Sequence, residues 1–184
     1  LSANTTGTEN TAVGHQVLGA NTTGSYNVGI GLYALKENTT AHYNTAIGYA
    51  ALQANTTGAH NTALGRWTLN SNTTAGNNTA VGSSALVANT TGTPNTAIGY
   101  DSLKTNTTGG YNVGLGDRAL NSNTTGTENT AVGSQALYSN TTGNRNVSVG
   151  YQSQSANTTG SRNVSVGYDA LEYNTTAGDN TAVG

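Results

Sequence analysis

Apolar residues fall at one fixed interval along the whole chain. Each unit can be counted from the Asn of an Asn-Thr-Thr triplet, which opens at Asn4, Asn21, Asn38, Asn55, Asn72, Asn89, Asn106, Asn123, Asn140, Asn157 and Asn174. The step is 17 residues every time, with no insertion or deletion. Position ten is always a branched aliphatic residue: Val13, Ile30, Ile47, Leu64, Val81, Ile98, Leu115, Val132, Val149, Val166, Val183. Position fifteen is Leu in every complete repeat except where Gln154 replaces it. Position fourteen is small, mostly Ala, with Val17, Thr68, Ser102 and Ser153 as exceptions. Position seven is always Asn and position eleven always Gly. A short period without slips is the signature of a solenoid. The unit is too short for two helices and a turn, and its constant Gly and Asn disfavour helix interiors. Segments such as Thr-Ala-Val and Asn-Val-Ser-Val, bounded by Asn and Gly, predict short strands between turns.

The fold expected from this pattern is an all-β parallel β-solenoid, a β-roll of 17-residue coils. A unit of that length has a contour of about 56 Å, which suits two strands of about four to six residues and two turns per coil. Coils stacked about 4.8 Å apart make a rod of about 50 Å. The aliphatic residues at ten and the Leu at fifteen are expected to stack into two apolar columns, forming a thin core. Gly at eleven allows positive φ or a close backbone approach at a corner. Asn at one and seven tolerates left-handed backbone and can form amide ladders along the rod. Residues 1–184 read as one array: ten full repeats from Asn4 to Tyr173 with a partial repeat at either end, a piece of a longer chain.

Positions eight and nine change together. Thr stands before Ala, as in Thr45-Ala46, and Val before Gly or Ser, as in Val28-Gly29 and Val147-Ser148. Neighbours on a strand face opposite sides, so coupled sizes suggest that both faces are packed. One face meets the coil interior; the other meets something else, most simply another chain. Duplication of a few ancestral repeats would also carry such pairs along. Two large apolar residues per unit make a lean core for the entropy of ordering, and association is the usual remedy. The expected partner is the chain itself, as a homo-oligomer whose axis follows the rod, with end-to-end stacking into filaments open to exposed strand edges.

Composition narrows the function classes. Charged residues are 8% and net charge is −2. So polar a chain would ordinarily be disordered, but weak self-repulsion and fixed apolar positions argue otherwise. The six Lys and Arg are scattered, which disfavours nucleic acid, since a phosphate backbone calls for clustered cations. No apolar run reaches membrane-spanning length, residues 1–184 show no signal-peptide pattern, and any targeting segment is expected outside this piece of the array. Without Cys there is neither a disulfide framework nor a thiolate metal site. His15, His42 and His60 occupy three different positions of the unit, the carboxylates are scattered, and neither a calcium-binding repeat nor a phosphate loop occurs. No enzyme activity and no cofactor are expected.

Three kinds of surface chemistry remain. Tyr49, Tyr100, Tyr151 and Tyr168 share position twelve; exposed Tyr can stack on sugars or anchor a receptor. Every Asn-Thr-Thr, from Asn4 to Asn174, matches the N-glycosylation acceptor pattern, as do Asn77-Asn78-Thr79, Asn146-Val147-Ser148 and Asn163-Val164-Ser165. Turn geometry and ladders explain the same Asn without sugar. Regular Thr ranks on a flat solenoid face can also bind ice. That geometry needs two outward Thr flanking one inward residue, whereas Thr5-Thr6 and its copies are adjacent.

Asn-Thr-Ala-Ile-Gly-Tyr-Ala-Ala-Leu at Asn44 to Leu52 recurs as Asn-Thr-Ala-Val-Gly-Ser-Gln-Ala-Leu at Asn129 to Leu137. This string resembles the head repeats of trimeric autotransporter adhesins (YadA-like), and is similar to repeat arrays of surface proteins and phage tail fibres. The resemblance covers the whole chain. It implies a left-handed parallel β-roll, three chains round one axis, and an extracellular role as stalk or adhesive head on a cell or virion surface. The adhesin head repeat is shorter; the Asn-Thr-Thr-Gly corner is an addition here.

Overall fold

A computed structural model describes all residues, 1–184. Every coil contributes one short strand, from β1 (Thr11–Val13) and β2 (Val28–Ile30) to β9 (Val147–Val149), β10 (Val164–Val166) and β11 (Thr181–Val183). The strands form one 11-stranded sheet in sequential order. All pairings are parallel, and each residue pairs with its counterpart one unit on, as in Thr45↔Thr62, Ala46↔Ala63 and Ile47↔Leu64. The parallel β-solenoid with 17-residue coils is therefore as the repeat predicts, and no helix occurs.

The expected second strand is absent. After Gly at position eleven the chain turns continuously through position seventeen. The cause is a left-handed backbone at positions thirteen and fifteen of each complete coil, as at Trp67 (φ 57°) and Leu69 (φ 50°). An extended strand cannot alternate with left-handed residues. Hydrogen bonds between coils continue here, but they alternate in direction. Trp67 N–H donates to the carbonyl of Tyr49 in the coil before, and Leu69 N–H to Ala85 in the coil after. The same geometry explains a sequence rule. A residue branched at Cβ is strained at positive φ, and position fifteen holds only Leu or Gln, never Val or Ile. Gly at eleven is required for two reasons: its φ lies between 118° and 144° in all coils, and a Cβ there would collide with the carbonyl of the next coil's glycine.

The core also differs from expectation. Position nine faces inward: Ala46, Ala63, Ala80, Ala97 and Ala131 are fully buried. They meet the Leu column of position fifteen and the small residues of position fourteen, such as Ala51 and Ala85. Strand neighbours alternate, so positions eight and ten point away from this core. Val13 is 57% exposed, Ile98 43% and Val166 38%; no residue of column ten is buried. The core thus has one column of large apolar residues, not two, and the second lies on the surface.

Polar ladders close the coil where apolar residues are lacking. At position one, Asn55 Nδ2 donates to Asn38 Oδ1 of the coil before (3.0 Å) and to the Gly58 carbonyl (2.9 Å). At position seven, Asn44 Oδ1 accepts the backbone N–H of Asn61 (2.9 Å), while Asn61 Nδ2 donates to the Ala75 carbonyl (2.9 Å). Thr56 Oγ1 at position two donates to the Thr73 carbonyl (3.1 Å). The expected Asn ladders are present at both positions, and they run through the buried interior. Buried amides satisfied in this way avoid the desolvation penalty that orphaned ones incur.

Candidate functional site

The outer face of the sheet is an extended surface that runs through all 11 strands. Its centre is column ten, flanked by column eight, where Thr alternates with Val28, Val113, Val147 and Val164. All the aliphatic side chains of column ten are partly or largely exposed. Large exposed apolar patches ordinarily mark interaction surfaces. The strand places it there because small residues at position nine are the only ones that fit inside, which turns their larger neighbours outward.

Two edges border this stripe, at position six before each strand and position twelve after it. Both carry aromatic and charged residues. On the position-six edge, Tyr26 and Tyr43 stack at 4.9 Å, and Tyr43 and His60 at 5.0 Å. Further along, Glu128 pairs with Arg145 (2.9 Å) and Arg162 with Asp179 (2.6 Å). The Arg162 hydrogen bond holds the Asp179 carboxyl below its ordinary pKa, and Asp179 in turn raises that of Arg162. The charge of Glu9 raises the Tyr26 phenol. These pairs are exposed and add little stability.

The four tyrosines of position twelve are all exposed, at 42% for Tyr49, 50% for Tyr100, 42% for Tyr151 and 70% for Tyr168. They do not form one column. Tyr151 and Tyr168 stack at 5.2 Å; Tyr100 lies 5.7 Å from the Arg118 guanidinium. Tyr49 instead belongs to a ribbon that crosses between positions twelve and thirteen: His15–Tyr33, Tyr33–Tyr49 and Tyr49–Trp67 meet edge to face at 6.1, 6.1 and 6.3 Å. Arg66 covers one face of Trp67 at 3.5 Å. Reading one column at a time misses this ribbon; its signal is aromatic residues at adjacent positions in successive coils.

The glycosylation-pattern asparagines lie elsewhere. From Asn21 to Asn157 the side chains of position one are fully buried, and Asn4 and Asn174 are half-buried at the rod ends. The Nδ2 that a glycan would need is engaged in the ladder. Asn146 and Asn163 are buried too, whereas Asn77 is exposed. The Thr ranks divide likewise. Position-two hydroxyls are tied to the neighbouring coil, position-three Thr are exposed, and each strand turns outward one Thr or Val and one aliphatic residue rather than two Thr.

Concavities are shallow. One polar depression of about 290 Å³ is lined by Thr127, Asn144, Arg145, Ser161 and Arg162. No three His, Cys, Asp or Glu side chains come together as a metal site requires, and no helix is long and apolar enough to cross a membrane. Comparison with family models, with curated proteins and with solved structures found no match.

Proposed function

We propose that this chain is a rod segment of an extracellular fibre, of the surface-adhesin or phage-type tail-fibre kind, assembled from copies of itself through the outer face of its sheet. The observation that carries this reading is the exposed aliphatic column, unbroken through all 11 coils on a single parallel sheet. A uniform lattice of backbone and Asn ladders gives stiffness along the axis. The stripe gives a reason to associate across it, and association supplies the second apolar layer that each coil lacks. Resemblance of the repeat to trimeric adhesin heads favours three left-handed chains round one axis. The role is mechanical and needs no cofactor. Light scattering on the eluting peak of a sizing column tests it: a folded species at a small multiple of 18.5 kDa supports assembly, and a folded monomer refutes it.

A second reading rests on the ribbon of His15, Tyr33, Tyr49 and Trp67, which suits a segment that also touches surface glycans or a receptor. Trp67 is the one Trp in the chain, so its fluorescence reports sugar contact. Unchanged emission over a panel of oligosaccharides removes this reading.

A further inference from the structure

The two edges of the stripe carry a register code. In each coil, position six precedes the strand and position twelve follows it, on opposite borders of the outer face. A copy rotated about an axis parallel to the rod sets its position-twelve edge against the first copy's position-six edge. This holds for two chains face to face and for three around a ring. We infer that the face takes a second copy of this chain, parallel and in register, with each coil's position-six residue meeting the position-twelve residue of the same coil in its neighbour. This rests on the assembly proposed above and specifies its contacts.

Three features of the molecule carry the inference. The first is area. Six residue steps span at most about 20 Å from position six to twelve, and ten steps of about 4.8 Å make the face about 48 Å long, an upper bound of about 950 Å² that reaches the roughly 800 Å² per partner of a standard interface. The second is complementarity within each coil. Arg145 meets Tyr151 and Arg162 meets Tyr168, each a cation over an exposed ring, and Glu9 meets His15, a hydrogen-bond donor for its carboxylate. Counting His as neutral, no complete coil carries like charges at the two positions. The third is what other arrangements do. Shifted by one coil in one direction, Glu128 faces Asp117; shifted in the other, Glu9 faces Leu32 and loses its partner. An antiparallel pair centred on coil six sets edge six against itself and brings Glu9 to Asp179. Like charges across an interface are the ordinary means of excluding wrong registers.

The absence of Cys makes the test clean. Asn77→Cys with Ser83→Cys places one thiol on each edge of coil five, too far apart along the strand to join within one chain. Asn77→Cys with Ser134→Cys offsets them by three coils. Treatment with a short bifunctional thiol-alkylating cross-linker, which bonds one reactive end to each thiol, is expected to join chains of the first variant into a closed covalent set of two or three, and to leave the second uncoupled. Glu128→Cys with Ser134→Cys repeats the test in coil eight should coil five not tolerate the change. Cross-linking of the offset pair, cross-linking of Asn77→Cys alone, or none in an assembled sample overturns the register. A folded monomer by light scattering would instead overturn the assembly itself, so the two failures are distinguishable.

Discussion

Gln154 is the weak point of the rod. It stands at position fifteen, where every other complete coil has Leu, and it is fully buried. Neither its Nε2 nor its Oε1 has a hydrogen-bond partner, and Asp169 Oδ1 in the next coil is likewise unpaired. Its surroundings are partly polar: Ser148 Oγ donates to the Ser153 carbonyl (2.6 Å), and the Ser153 and Ser165 hydroxyls share a hydrogen bond (2.5 Å). Those serines satisfy one another and not the amide. Leu has nearly the shape of Gln, so Gln154→Leu removes two unpaired groups, each costing about 1–3 kcal/mol, without creating a cavity. A gain of about 2–4 kcal/mol is expected, since part of the penalty is relieved by local relaxation. Contacts in a solenoid reach only adjacent coils, so the defect also weakens the coupling of coils nine to eleven to the rest. The assay is hydrogen exchange read coil by coil, with a denaturant midpoint alongside. In the native chain, amides of β9 to β11 are expected to exchange faster than those of the central coils; in Gln154→Leu the contrast shrinks and the midpoint rises. An unchanged or lower midpoint, or uniform exchange in the native chain, would refute the reasoning.

Further outcomes follow from the same geometry. Leu86 is fully buried at φ 51°, so Leu86→Ile should lower the denaturation midpoint more than Leu86→Met, although Ile keeps the volume, because only Ile is branched at Cβ. Asn72 donates to Asn55 Oδ1 (3.0 Å) and the Ala75 carbonyl (2.9 Å) and accepts from Asn89 (3.0 Å); Asn72→Ala should cost about 2–4 kcal/mol by thermal or chemical melting, as several buried groups lose partners at once. For Asp179, the folded-state pKa is depressed by Arg162. Its small contribution is therefore present above the ordinary carboxylate pKa and lost as pH falls through the folded one. In Arg162→Ala the carboxyl resonance should titrate at higher pH, measured by NMR, and a titration unchanged from the native chain would discount the pair.

Much of the molecule is legible in the chain itself. The constant step dictates one coil per unit and a pairing of like with like. Asn at one and seven forms ladders because identical amides stacked one coil apart are each other's best partners, and Leu at fifteen is core. What the chain alone leaves open is which side of the strand faces in. Column ten is as aliphatic as column fifteen, and hydrophobicity alone sends both inside. The fold decides otherwise, because position nine, small in every coil, is the side chain that fits beneath the Leu column, and strand alternation then puts ten outside. The second strand fails for a similar reason. Left-handed backbone at thirteen and fifteen is invisible to a strand-propensity reading, although the exclusion of Val and Ile from position fifteen is its trace. The aromatic ribbon likewise exists only once coils are stacked, since His15, Tyr33, Tyr49 and Trp67 alternate between two columns. The period is a property of the chain; inside and outside are properties of how much volume one thin coil can enclose.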